Sequence, residues 1–209
     1  MATWGFLLLA KYLCIVQFFD SALAASTNLA NLQPLLHFQN GSDVDTPRAW
    51  MQRRQEVSKL LQESMLGTFP DSKPPLLSAA LLNETSYDSS VASFVRLDFN
   101  VSAGGVMQTC GFEVEVLAPK ETKVQRPLFL TQWNHREWAL IGLSRGYVGV
   151  VYPGADVRDA APCFKRAYPN KTMALIAARA FVASCTLDYA LSFPNIARDE
   201  VSITGHSRN

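Results

Sequence analysis

The stretch Val201-Ser202-Ile203-Thr204-Gly205-His206-Ser207-Arg208-Asn209 decides the reading of this chain. Its first four residues alternate β-branched and small side chains, as a buried strand does. They run into Gly-x-Ser, where a strand must turn sharply into a helix. Small neighbours let the backbone bend there, so the serine Oγ stands clear of the sheet in the geometry of a nucleophile elbow. Gly-x-Ser alone is a common triplet, and its weight here comes from the residues ahead of it.

Upstream, Leu128-Phe129-Leu130-Thr131 is a short, continuously apolar run. It is followed by a loop over Gln132-Trp133-Asn134-His135, then by helical spacing in Trp138, Ile141 and Leu143 that ends at Arg145-Gly146, then by a second apolar run, Tyr147 to Tyr152. Strand, helix and strand in that order predict a parallel βαβ unit. Pro153-Gly154 opens a loop to Pro169. A long helix is expected over residues 171–192, with Met173, Ala177, Ala180, Phe181, Ser184 and Leu187 on one stripe, stopped by Pro194. Before Pro127 the pattern is antiparallel. Val91, Val95, Leu97, Phe99 and Val101 share one parity, against Arg96, Asp98 and Asn100 on the other; Ala103-Gly104-Gly105 turns, and Phe112 to Val116 alternates again. This is a hairpin near a sheet edge. Thr46-Pro47 starts a helix bearing Trp50, Val57, Leu60, Leu61 and Met65 at helical spacing, ended by Gly67, with a linker through Phe69 to Pro75. The fold class is therefore α/β: an antiparallel hairpin, then parallel strands with flanking helices, reaching the elbow at Ser207.

The 209 residues are 48% hydrophobic and 18% charged with a formal charge of +1, the balance of a globular chain that offers nothing to a polyanion, so no nucleic-acid partner is expected. Residues 4–19 are apolar and lead into Ala22-Leu23-Ala24, matching a cleavable export signal over 1–24. The run is shorter than the roughly 20 residues a membrane span needs, so none is expected once the signal is removed. A polar lead-in follows over 25–46, and the α/β domain over 47–209. Four sequons, at Asn40, Asn83, Asn100 and Asn170, suit a secreted glycoprotein. The parity of the strand at 91–101 puts Asn100 on its wet face. Without the signal, Cys110, Cys163 and Cys185 remain; either one thiol is free or its partner lies outside this sequence.

A serine at a strand's carboxyl end needs a base to take its proton and a carboxylate to orient that base. Of the three histidines, His206 adjoins the serine with its ring directed away, His37 lies in the lead-in, and His135 lies in a loop where oxyanion elements sit. In the order serine, acid, histidine, both partners fall beyond Asn209, so the natural domain is expected to continue. A triad-less chain that keeps the fold for binding is the alternative. The Arg208 N–H is placed for an oxyanion hole, and its guanidinium adds positive charge there. Asn134 and His135 are further candidates for the substrate or oxyanion crevice. Asp156 and Asp159 read as turn residues, with cleft lining as the second reading because their loop leaves a strand's carboxyl end, and Trp133 and Trp138 as packing aromatics with sugar stacking as the second reading. No metal-ligand spacing, phosphate loop or dinucleotide motif occurs, so no metal or cofactor is expected.

Gly205-His206-Ser207-Arg208-Asn209 resembles the G-C/H-S-R-x-G signature of the glucuronoyl esterase-like branch of α/β hydrolases. The same branch is similar at Trp50 with Arg53-Arg54, at Gly67 to Pro70, at Asn134-His135-Arg136 and at Arg145-Gly146-Tyr147, so the resemblance spans roughly residues 47–209. It implies an α/β-hydrolase fold, Ser207 as nucleophile, Arg208 at the oxyanion, and esters between 4-O-methylglucuronic acid and lignin alcohols as substrates. The resemblance places the uronate-binding residues mostly past Asn209. His206 stands where fungal members have cysteine, so their elbow-linked disulfide is not expected.

Overall fold

The computed structural model describes residues 34–103, 105–121 and 123–208; the expected export signal over 1–24, the expected lead-in up to residue 33 and Asn209 lie outside the described residues. The described residues divide into two compact units, one up to Leu60 and one from Leu61 on. In the first, helix α1 (Pro47–Leu61) starts as expected: Thr46 Oγ1 accepts the Ala49 N–H at 3.1 Å, and Pro47 is the first helical residue. Its buried face carries only the first part of the apolar stripe, with Trp50 and Val57 half-buried on either side of Arg53. Leu60, Leu61 and Met65 are exposed, while Arg53 is the residue this helix buries. Hydrogen bonding is the reason: Arg53 Nε donates to the Leu35 carbonyl at 3.3 Å and Nη1 to Glu56 at 2.9 Å.

The second unit opens with a π-helical turn, Gln62–Leu66, closed by Gly67 at φ 73°, whose N–H returns to Gln62 O at 2.8 Å. A Cβ at Gly67 would lie 2.0 Å from the Thr172 carbonyl, so only glycine fits this close crossing.

Six strands make one sheet: β1 (Leu76–Ser86), β2 (Ser90–Ala103), β3 (Val106–Pro119), β4 (Arg126–Gln132), β5 (Val148–Tyr152) and β6 (Ile196–Ile203), in the spatial order β1-β2-β3-β5-β4-β6. The first three are antiparallel, β3 meets β5 antiparallel, and β4 runs parallel to both β5 and β6. The expected hairpin is β2–β3, with Val95, Leu97, Phe99 and Val101 buried. It does not form the rim, because β1 adds an outer strand that the sequence pattern does not announce. All eleven residues of β1 are exposed, so nothing selects an alternation. The parity of β2 holds, yet Asn100 is half-buried, its N–H bonded to the Pro75 carbonyl at 3.2 Å; Asn40, Asn83 and Asn170 are exposed.

Successive strand residues point to opposite faces, and each face buries its own helices. On one, α2 (Arg136–Ser144) packs Ala139 against Ala92, Leu117 and Val151. Gly149 permits this, since a Cβ there would sit 3.0 Å from Ala139 Cβ. Trp138 and Ile141, expected on the buried stripe, are exposed; the small residue makes the contact instead. On the other face lie α3 (Ala161–Ala167) and α4 (Leu175–Ala190), over Leu128, Leu130, Val148 and Val150. Helix α3 falls inside the stretch expected as loop. Its Phe164 is fully buried, with ring centroids 6.0, 6.2 and 5.7 Å from Phe99, Phe112 and Phe181. A disulfide, Cys110–Cys163, ties α3 to β3, and Cys185 is a buried free thiol. Helix α4 begins at Leu175 rather than 171, because residues ahead of it are held by the 66–68 segment: Ala174 N–H donates to Leu66 O at 2.7 Å and Thr172 N–H to Thr68 Oγ1 at 3.1 Å. Ala177 and Phe181 are buried as expected, Ala180 is exposed, and Ala178, Val182 and Cys185 fill the remaining contacts.

Candidate active site

Strand β4 connects through α2 to β5 on one side, and the chain then crosses over to place β6 on the other. Where connections part in this way, a crevice opens at the carboxyl ends of the strands. Ser207 lies there, four residues past the end of β6. It has φ 59°, the one positive φ at a non-glycine among the described residues. That conformation costs a side-chain-bearing residue about 1–3 kcal/mol and persists only where the surroundings over-determine it.

The turn is held at both ends. Thr204 N–H donates to Leu130 O at 3.1 Å, and Gln132 Nε2 donates to Thr204 O at 2.9 Å. Gln132 is buried and its amide also meets the Tyr152 hydroxyl, so the last residues of β4 and β5 are tied to the exit of β6. Burial pushes the Tyr152 phenol up to about 12, against the opposing hydrogen bond from Gln132. At the far end Arg179 of α4 donates Nη1 to the Arg208 carbonyl at 2.8 Å. Its Nε and Nη2 meet Asp159 Oδ2 at 3.0 and 2.7 Å. A cavity of about 260 Å³ opens beside this turn, lined by Gln132, Tyr152, Arg179, Ala183, Ile203 and Gly205.

Of the residues singled out from sequence, His135 and His206 come together: their ring centroids are 5.4 Å apart and perpendicular, and His135 stacks on Trp138 at 4.3 Å. His135 is the last residue of a single 3-10 turn, Trp133–His135, whose position is fixed from the next residue. Arg136 Nε and Nη2 each donate at 2.6 Å to the two oxygens of Glu115, a carboxylate fully buried on β3. This bidentate bond raises the Arg136 pKa above its ordinary value. Asn134 is exposed at the same turn. Trp133 stacks on Phe94 at 5.8 Å and lies under the Arg158 guanidinium, so it packs internally. Asp156 and Asp159 are turn residues, accepting the N–H groups of Arg158 and Ala161 at 2.7 and 3.0 Å. His37 pairs with Asp43 in the first unit. No described residue hydrogen-bonds Ser207 Oγ, and among the described residues no three His, Cys, Asp or Glu side chains converge as a metal site.

Gln132, Glu115, Asp159 and Arg179 carry the geometry; from sequence only Asp159 is weighed for the cleft, as the second reading to a turn, and the other three have no site role. Arg179 left one trace: it is the sole charge in the apolar opening of α4, Leu-Ile-Ala-Ala-Arg-Ala-Phe, where an unpaired cation would be costly.

The strand order, the helices on both faces and the strained serine turn define an α/β-hydrolase fold. Solved structures similar to it include glucuronoyl esterases and a putative acetyl xylan esterase. A promiscuous CE15 esterase from a marine bacterial metagenome superposes with a TM-score of 0.66 at 20% identity, over 85% of this chain and 57% of its own. A glucuronoyl esterase from Solibacter usitatus gives 0.66 at 17% identity, over 85% and 58%. A putative acetyl xylan esterase from Bacteroides fragilis gives 0.56 at 13% identity, over 88% and 53%. The chain thus spans somewhat over half the length of these structures. No family model and no curated protein matches it. None of the described helices is long and apolar enough to cross a membrane.

Proposed function

We propose that the protein is a carboxylic ester hydrolase acting on carbohydrate esters, with Ser207 as the nucleophile and the Arg208 N–H in the oxyanion hole. The observation that carries this reading is the positive φ of Ser207 at the carboxyl end of a parallel strand. In the reaction Ser207 Oγ attacks the ester carbonyl as a base removes its proton, the alcohol leaves, and water releases the acid. The acid and histidine that complete this relay are assigned to chain beyond Asn209. Asn134 and His135 belong to the crevice wall. The finer substrate is a glucuronoyl ester, by likeness to the CE15 structures. The Cys110–Cys163 disulfide and the exposed sequons at Asn40, Asn83 and Asn170 support a secreted glycoprotein.

The test is hydrolysis of aryl acetates and benzyl glucuronate by the natural full-length protein, with mass-spectrometric mapping of a fluorophosphonate adduct. Ser207→Ala is expected to remove at least about 10³-fold of the rate and all labelling while leaving the circular dichroism unchanged. Undiminished turnover in that variant removes Ser207 from the mechanism. A full-length protein that neither labels nor turns over would instead make the chain a non-catalytic glycoprotein.

A further inference from the structure

We propose that Arg179 is a positioning residue that holds the serine turn in its strained conformation through the main chain, an inference that rests on Ser207 being the nucleophile. The turn from Gly205 to Arg208 is suspended between two fixed points. Thr204 is bonded through both its N–H and its carbonyl, to Leu130 and Gln132, and Arg208 is bonded through its carbonyl to Arg179 Nη1 at 2.8 Å. Between them Ser207 keeps a φ of 59°, which relaxes unless both ends are held.

Arg179 suits this because its other donors are already committed. Nε and Nη2 converge on Asp159 Oδ2, and Asp159 Oδ1 accepts the Ala161 N–H at 3.0 Å as α3 begins. The side chains of Arg179 and Asp159 are 11% and 15% exposed, so the guanidinium is held in plane by a carboxylate that is itself held by backbone. The third arm is thereby aimed at Arg208, whose N–H is the one assigned to the oxyanion. A planar fork presents separate nitrogens to the two acceptors in a fixed geometry, whereas a lysine must reach both from a single nitrogen on a flexible stem. The clamp therefore acts on orientation of the serine and of the oxyanion donor, not on substrate affinity.

The experiment compares Arg179→Lys with the unmodified full-length protein. Amide hydrogen exchange is expected to quicken at least about tenfold across residues 205–208, through local opening alone, with the rest of α4 unchanged. The kcat for ester hydrolysis is expected to fall about tenfold or more with KM within about twofold, as misorientation at the reacting atoms predicts. Unchanged exchange overturns the clamp, and faster exchange with unchanged kcat overturns its positioning role. Faster exchange in a protein that has no esterase activity even when unmodified leaves the clamp standing and removes the catalytic reading instead. Should Arg179→Lys fail to fold, Asp159→Asn keeps an acceptor of the same shape and weakens the fork, and it is expected to give the same two changes with smaller size; its failure to do so counts against the proposal equally.

Discussion

Two arginine–carboxylate pairs stand around the serine turn, and they spend their donors differently. Arg136 gives one N–H to each oxygen of Glu115, both at 2.6 Å, closing the pair on itself. Arg179 gives two N–H groups to a single oxygen of Asp159, which frees the other oxygen for Ala161 and the third nitrogen for Arg208. The first arrangement is an anchor: it fixes the start of α2, and with it the His135 turn, against the middle of the sheet. The second is a link that carries the position of one segment to another. Burial follows the same division. Glu115 is fully buried and has Arg136 as its charged partner, whereas Arg179 of the second pair borders the cavity beside the serine turn. The difference predicts that one pair governs stability and the other geometry.

Removing the anchor has the largest expected effect. Arg136→Ala leaves a carboxylate in the sheet interior without its cation, which costs about 3–5 kcal/mol of folding free energy, read as a lowered urea midpoint. Replacing both partners together, Glu115→Leu with Arg136→Met, is expected to recover most of that loss, because no charge is then stranded. The sharpening comes from Arg179→Lys, expected to lie within about 1 kcal/mol of the unmodified protein because its charge remains beside Asp159. Equal losses from Arg136→Ala and Arg179→Lys would collapse the distinction between anchor and link.

The uncharged fastening at the other end of the elbow is open to pH. Tyr152 has its phenol pushed from the ordinary 10.0 to about 12, chiefly by burial, with the Gln132 hydrogen bond acting in the opposite direction. A folded-state pKa above the unfolded one means that the unfolded chain releases its proton first. The tyrosine's contribution is therefore complete below pH 10 and is lost as pH rises through 12, by up to roughly 3 kcal/mol. Cys185 acts in the same direction over pH 9 to 12, since burial pushes its thiol from 9.0 to about 12. In a Cys185→Ala background, the urea midpoint should fall between pH 9.5 and 11.5, and Tyr152→Phe should flatten that fall. A Phe variant with the same slope would show that Tyr152 does not ionise on unfolding in this range.

These anchors explain which parts of the molecule are legible from sequence. Strand β5, Val-Gly-Val-Val-Tyr, is buried at every residue, and its unbroken apolar run announces a strand covered on both faces. The elbow is legible for a related reason, as its small residues and strand-to-turn order are contiguous. Strand β1 is not legible, because an exposed edge imposes no alternation, and α3, with seven residues, is too short to show a period. The pairing of Cys110 with Cys163, 53 residues apart, leaves no local spacing. The same holds for Glu115 with Arg136 and Asp159 with Arg179, separated by 21 and 20 residues. Helix α1 shows the remaining kind of miss. Of the face inferred from apolar spacing, Trp50 and Val57 are half-buried, but the residue fully buried between them is an arginine with a carbonyl and a carboxylate to satisfy it.

The smallest expected effect bears on the anchored side alone. Arg158 places its guanidinium 4.5 Å above the Trp133 ring, inside the 3-10 turn that Arg136 holds. Arg158 is exposed, so this cation–π contact is worth about 0.5–1 kcal/mol, and Arg158→Ala should lower stability by no more than that. If the Glu115–Arg136 anchor alone fixes the turn, Trp133 fluorescence in Arg158→Ala keeps its emission maximum, because the Phe94 stack is untouched. A red shift with a loss approaching that of Arg136→Ala would mean the turn is held from its solvent side, and the anchor would then be one of two equal supports.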